Sequence, residues 1–232
     1  MICWSCERGA GDGPLCSHCG ALLPPQREPN HFQVLGLPRR YDVDLKLAEE
    51  HFRALSRQFH PDRFATADPR ARRASLQRTV QLNEAWRTMK DPVRRAEYLL
   101  QQAGFQVGAE EGASRPQAKG SSAGGRERIP VPAALLGEIL DLREELGEAR
   151  QAGDQARVQR MAGEMRHRAD AALQKVATSL AEAEASSSPA AGFEVAVREL
   201  IAIRYFRRFL DEVSAQEDAD ADAAAEQGEA HA

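Results

Sequence analysis

Apolar positions fall at three- and four-residue intervals in two long blocks of the sequence, and each block predicts helices. In the first block Ala48, Phe52, Leu55 and Phe59 mark one face of a helix, and Leu82, Ala85, Trp86 and Met89 mark one face of another. Between them stands His60-Pro61-Asp62. Pro61 fixes its own φ and biases His60 away from helical backbone, so the first helix stops and the two form a hairpin with the tripeptide at the bend. Asp62 is expected to hydrogen-bond nearby backbone donors and hold that bend, leaving the His60 imidazole displayed. Asp44 is the expected N-cap of the first long helix, and the second runs from about Arg70 to Lys90. A short helix after Asn30, and another begun by Asp91-Pro92 and stopped by Gly104, bring the block to four helices.

The second block starts at Pro132. Leu135, Ile139, Leu142 and Leu146 form the core stripe of its first helix, and Gly153-Asp154 end it. Val158, Met161, Met165, Ala172, Val176 and Leu180 line the second, where the two methionines read as core filler rather than a cofactor box. After Pro189 a third helix carries Phe193, Val197, Leu200, Ile201 and aromatics to Phe209. Three long helices with short turns predict an antiparallel bundle. Leu136 and Leu140 lie off that first stripe, with Asp141, Glu144 and Glu148 continuing round the outer side. The pair is either a solvated docking patch or the edge of a wide core stripe, and the pattern alone weighs the two equally.

Between the blocks, residues 106–128 are rich in glycine and serine and predict a flexible linker. Residues 216–232, acidic and alanine-rich, predict a disordered tail. The expected division is therefore 1–29, 30–105, 106–128, 129–215 and 216–232, in an all-α chain.

Composition is ordinary for one or two small domains, with 28% charged and 42% hydrophobic residues, but only 6% are aromatic, so each core must be small and aliphatic. No apolar run reaches the ~18 residues of a membrane span, and the N-terminus has no basic region followed by a hydrophobic one, so a soluble cytoplasmic protein is expected. The net charge of −4 is unevenly spread. Residues 30–104 hold 14 Lys and Arg against 9 Asp and Glu, whereas 129–232 hold 11 against 20. Surfaces of opposite sign suggest two different partners. In the hairpin, Lys46, Arg53 and Arg57 fall within about 40° of one another on the face opposite the apolar stripe, a cationic row leading to His60 and diluted by Glu50.

All four cysteines lie in the first nineteen residues, as Cys3-x-x-Cys6, nine residues, then Cys16-x-x-Cys19. Two such knuckles converge into a tetrahedral four-thiolate site, and structural zinc is the expected ion. So short a segment holds too little apolar material to fold unaided, so metal binding supplies its folding free energy. An iron–sulfur centre on the same four ligands is the alternative reading. Disulfides fit a chain without an export signal poorly, and a redox CxxC would stand alone at a helix start. His18, inside the second knuckle, reads as a bystander.

Phe32-x-x-Leu35-Gly36-Leu37, Phe59-His60-Pro61-Asp62-Arg63-Phe64, Leu82-Asn83-Glu84-Ala85-Trp86 and Asp91-Pro92-x-x-Arg95-Ala96-x-Tyr98-Leu99-Leu100 together resemble a J domain. The last two motifs are similar to the HscB (Jac) branch of that family, which serves iron–sulfur cluster assembly. The resemblance extends to forms with an N-terminal pair of CxxC knuckles. It implies a J-domain hairpin plus a C-terminal three-helix bundle and a small knuckle module. It also implies a co-chaperone that stimulates a DnaK-type (HscA-like) ATPase through His60, Pro61 and Asp62, with Lys46, Arg53 and Arg57 docking. The bundle would deliver an iron–sulfur cluster scaffold protein (IscU-like). Leu136, Leu140, Asp141, Arg143, Glu144, Glu145 and Glu148 correspond to the Leu-(Asp/Glu)-Leu-Arg-Glu-Glu-Leu helix by which that family holds its scaffold, which moves the balance to docking. Gly137 stands where a bulky apolar residue is usual.

Two other classes fit less well. A zinc-containing nucleic-acid adaptor would need cations beside the knuckles and an aromatic stacking surface, but residues 1–29 hold only Arg8 and Arg27. An enzyme would need a nucleophile with its base, paired carboxylates, a phosphate loop or an open metal position, and none is evident. The expectation is a protein that performs no chemistry and binds neither nucleic acid nor membrane.

Overall fold

The structure, a computed structural model, describes residues 1–11, 13–25, 30–107 and 127–229, with the backbone alone taken at 127–128 and 216–229. The element order is α1 (His31–Val34), α2 (Leu45–Phe59), a 3-10 turn (Pro61–Phe64), α3 (Pro69–Lys90), α4 (Pro92–Gln102), β1 (Phe105–Gln106), β2 (Glu127–Arg128), α5 (Ala133–Gln151), α6 (Gln155–Ala185) and α7 (Ala190–Glu229). The fold is all-α apart from β1 and β2, which pair in parallel as Phe105 with Glu127 and Gln106 with Arg128. Most of the expected linker, residues 108–126, lies outside the described residues.

Short polar side chains start the helices by taking orphan N–H groups. Asp44 accepts from Lys46 N and Leu47 N at 2.9 and 3.1 Å, Asp68 from Arg70 N at 2.8 Å, and Asp91 from Val93 N at 2.8 Å. Pro69 and Pro92 sit at first helical positions, where a missing N–H costs nothing. Gly153 takes φ +66° to bring the chain out of α5, and Asp154 then caps α6 through Arg157 N at 2.9 Å.

The chain divides into two compact units, Met1–Arg95 and Ala96–Ala232. In the first, Ala48 and Phe59 of α2 and Leu82, Ala85 and Met89 of α3 are buried as their spacing predicts, and Phe52 stacks on Trp86 with ring centroids 5.2 Å apart. The N-terminal knuckles belong to this unit, and Leu22 and Leu23 are each only 2% exposed.

In the second unit, Ile139, Leu146 and Ala149 of α5 meet Val158, Met161 and Met165 of α6 and Phe206, Phe209 and Val213 of α7. The two methionines are core, as read. The division between the two units falls inside α4, between Arg95 and Ala96. Arg204 of α7 explains this, donating to Glu97 from Nε and Nη2 at 3.0 and 2.8 Å and to the Val107 carbonyl at 2.9 Å. Phe105 adds an edge-on contact with Phe193 at 5.6 Å. At the far end, where a disordered tail is expected, the backbone of α7 stays helical to Glu229. Alanine, the strongest helix former, recurs through that acidic stretch.

The α6–α7 crossing has no room to spare at Gly192, where an added Cβ would lie 2.7 Å from the Ser179 carbonyl oxygen and 2.9 Å from Ala183 Cβ. Gly192→Ala is expected to cost roughly 1–3 kcal/mol through overpacking. Gly163→Ala, where an added Cβ meets nothing within 4 Å, should stabilise α6 by about 1 kcal/mol. Paired thermal melts read both signs.

Candidate functional site

Pro61 leaves backbone acceptors at the end of α2 without their helical donors. The Arg57 carbonyl would take the N–H of residue 61, which a proline lacks. Arg63 supplies the replacement, its Nη1 donating to Arg57 O at 3.2 Å. The Phe59 carbonyl, inside the fold, takes the hydroxyls of Ser75 at 2.6 Å and Thr79 at 3.2 Å, both on α3. These bonds fix the hairpin at its bend. Arg63 N closes the turn on His60 O at 3.1 Å.

The bend itself is capped differently from expectation. His60, not Asp62, accepts the capping bond: Asp62 N donates to His60 Nδ1 at 3.3 Å, while the Asp62 side chain is 90% exposed. The Asp62 carboxylate lies 3.6 Å from the same Nδ1. An imidazole nitrogen two bonds from Cβ reaches the N–H two residues on, as the shorter Asx side chains do. With Nδ1 accepting, the ring proton is left on Nε2, in a side chain 53% exposed.

Lys46, Arg53 and Arg57 are all exposed on α2, as the helical angles predict. Arg53 pairs with Glu49 at 2.6 Å, one turn back. Arg63 is a cation of this surface that pattern reading missed. Its signal was the missing N–H of Pro61, which leaves an acceptor for some nearby donor.

Sγ atoms of Cys3, Cys6, Cys16 and Cys19 lie within 4.8 Å of one another, with Cys3 to Cys19 at 3.6 Å and Cys6 to Cys16 at 3.8 Å. A tetrahedral zinc at ~2.3 Å from each sulfur needs edges of ~3.8 Å, so the donor set fits such an ion with small adjustments. The knuckles match bond for bond. Cys3 N donates to Arg8 O and Cys16 N to Ala21 O, at 2.8 and 2.9 Å, and Glu7 and Gly20 both take positive φ, donating back to Cys3 O and Cys16 O. Ser5 N and His18 N each point at the first thiol of their knuckle from 3.4 Å. The N–H groups of His18 and Cys19 hold Cys16 down to about 6. Cys19 is drawn down by the Ala21 N–H, but desolvation and three neighbouring thiols push it up to about 11. Four thiols cannot all ionise at such range without a cation, so the four together could hold a metal ion only as thiolates neutralised by it. His18 is exposed and stands apart from the four ligands.

On the bundle, Leu136 and Leu140 are 40% and 65% exposed, so they lie outside the core stripe. Asp141, Glu144 and Glu148 are exposed on the same helix, with Glu148 3.6 Å from Arg157. Neighbouring polar groups on α5 are tied to the other helices: Arg143 to Glu212 at 3.4 Å, Glu145 to Arg157 at 3.0 Å, and Glu138 to Arg168. An added Cβ at Gly137 would meet nothing within 4 Å.

A helical hairpin bent at His-Pro-Asp, with cations along the preceding helix, is the arrangement expected from the resemblance to a J domain. Residues 131–214 match the family model of the HSCB C-terminal oligomerisation domain. Over 117 residues, 50% of this chain, it is 40% identical to the co-chaperone protein HscB homologues of two Vibrio cholerae serotype O1 strains; the match spans 59% of their length. The crystal structure of human co-chaperone protein HscB superposes with a TM-score of 0.75 at 21% identity, covering 94% of this chain and 98% of that one, which speaks to the fold. Chaperone HscB from Vibrio cholerae gives a TM-score of 0.63 at 29% identity, covering 82% and 99%. In its C-terminal segment, in half of its sequence and in its fold, the chain is similar to HscB co-chaperones.

Purified protein is expected to hold one equivalent of metal by elemental analysis. Cys16→Ser should lower that occupancy and unfold the knuckles, read as lost amide dispersion for residues 1–25. A metal-free protein whose knuckles stay folded would contradict the four-thiolate site.

Proposed function

We propose that this chain is a co-chaperone that performs no chemistry itself. It stimulates the ATPase of a DnaK-type chaperone through His60, Pro61 and Asp62, with Lys46, Arg53 and Arg57 docking on an acidic surface of that partner. Its bundle delivers an iron–sulfur cluster scaffold protein, held by Leu136, Leu140, Asp141, Glu144 and Glu148, for cluster transfer. The knuckle metal is zinc, held by Cys3, Cys6, Cys16 and Cys19, and its part is structural. The site of action is the cytoplasm; no helix among the described residues is long and apolar enough to cross a membrane.

The observation that supports this reading best is the separation of roles at the bend. Among the described residues, Ser75, Thr79 and Arg63 bond the end of α2, while the His60 side chain bonds within its own turn. A side chain the fold does not need, presented at the end of a cationic helix, is what a partner-directed contact requires. The scaffold contact has the same logic. Leu136 and Leu140 add nothing to the bundle core, yet they form an apolar pair edged by carboxylates.

His60→Gln is expected to fold, losing at most about 1 kcal/mol with the Asp62 N–H cap. His60→Asn, whose Oδ1 stands where Nδ1 was, should keep the cap. Both should lose stimulation of the DnaK-type ATPase in single-turnover hydrolysis, and full stimulation by either would sink the reading. Arg57→Ala should weaken docking in a way that added salt reproduces in the wild type.

Leu136→Ala with Leu140→Ala is expected to weaken scaffold binding while changing stability little. A loss near the ~2–5 kcal/mol of a buried leucine truncation in chemical denaturation would make these residues structural.

A further inference from the structure

The knuckle module does not hang from the hairpin by its connector alone. Two arginines of α3 reach it. Arg78 donates from Nε to Leu23 O at 2.7 Å and from Nη2 to Pro24 O at 3.2 Å, and Arg70 donates from Nη1 to Trp4 O at 3.4 Å. Inside the module Trp4 Nε1 closes on Leu22 O at 2.8 Å, so the carbonyls Arg78 uses belong to a segment tied to the first knuckle.

Arg78 has a second face. Its guanidinium lies over the Phe59 ring, 5.4 Å from the centroid. Phe59 is 5% exposed and immediately precedes His60, and its carbonyl is the one that Ser75 and Thr79 hold. One planar cation therefore bonds the metal module along its edge and the end of α2 through its face. Burial also lowers the Arg78 pKa, the mark of a guanidinium partly withdrawn from water, whose donors therefore need protein acceptors. Without metal the knuckles lose their fold and the two carbonyls leave. A half-buried guanidinium stripped of its acceptors turns toward water, because an unsatisfied donor in a desolvated place is costly. It then leaves the Phe59 ring.

We propose that Arg78 is a positioning residue that couples occupancy of the Cys3, Cys6, Cys16 and Cys19 metal site to the shape of the His60–Phe64 turn. This rests on the co-chaperone reading for its use, but not for its test. The coupling is reciprocal: whatever holds the turn in its working shape also favours the loaded module.

The experiment uses full-length, isotope-labelled protein with no partner present, loaded with zinc or stripped by a chelator under reducing conditions. Amide resonances of Asp62, Arg63 and Phe64 report the turn, the first directly because its N–H bonds His60. In the wild type these should shift on stripping. In zinc-loaded Arg78→Ala they should already sit near the stripped positions and respond little to the chelator, although the knuckles still bind one zinc. Arg78→Lys keeps the charge but loses the fork, and should respond between the two; it also serves if the alanine variant does not fold. Turn amides that ignore zinc in the wild type, or follow it equally in an Arg78 variant, overturn the proposal. In the ATPase assay, stripping and Arg78→Ala should each reduce stimulation by roughly 5-fold or more, and not additively. If loaded wild type stimulates no DnaK-type partner, the co-chaperone reading fails alone, while the amide result still decides the coupling.

Discussion

A proline at the end of a helix creates a debt of hydrogen bonds, and the hairpin is built around meeting it. Pro61 cannot donate to Arg57 O, and the chain's turn away removes the donor that Phe59 O would have had. Solvent serves an exposed carbonyl, but Phe59 is inside the fold. An unpaired acceptor there would cost as much as a lost hydrogen bond, so α3 brings Ser75 and Thr79 to it. Those two residues lie one helical turn apart, which puts both hydroxyls on one carbonyl and sets the register of α3 against α2. The stacking of Phe52 on Trp86 and the burial of Ala85 against the hairpin follow from that register.

The same arrangement decides what the sequence made legible. Helix positions, the hairpin and the convergence of the four cysteines follow from spacing, because spacing sets which side chains come together, whereas the pattern alone leaves open whether Leu136 and Leu140 are solvated. Backbone-directed bonds have no such signature. Ser75 and Thr79 look like ordinary helix residues until the carbonyl they face is known, and Arg78 and Arg70 look like part of a solvated charge run. Sequence favours Asp62 for the cap at the bend because aspartate is the usual residue for that bond; an imidazole with an accepting Nδ1 does it as well. The division inside α4 was hidden for the same reason, since it turns on Arg204 finding Glu97 from 107 residues away.

The exposed pair on α5 shows how a bundle can keep an apolar patch without exposing its core. The inward stripe of α5 is complete with Ile139, Leu146 and Ala149, and ion pairs to α6 and α7 hold the flanks. Surface ion pairs of this kind add little stability singly, but several around one helix limit how it can rotate. Rotation is what would bury Leu136 and Leu140 and expose the stripe. Gly137, with open space where a side chain would stand, makes the patch narrower than its neighbours allow.

The metal module meets the limits of its size by borrowing from the hairpin. A segment of about twenty-five residues buries too little apolar surface to offset its chain entropy, so an ion on the four thiols would be what closes the knuckles. Inside the closed knuckles Leu23 packs with Cys3, Ala10 and Cys16, and Leu22 beside it is buried as well. Carbonyls beside them are exposed to the same desolvation and need donors. A lysine could satisfy one; a guanidinium satisfies two in a plane and keeps a face free for an aromatic ring. That is the chemistry found at Arg78, with Leu23 O and Pro24 O on its edge and Phe59 beneath. Packing that makes the module stable on the hairpin therefore makes the hairpin's bend sensitive to the module.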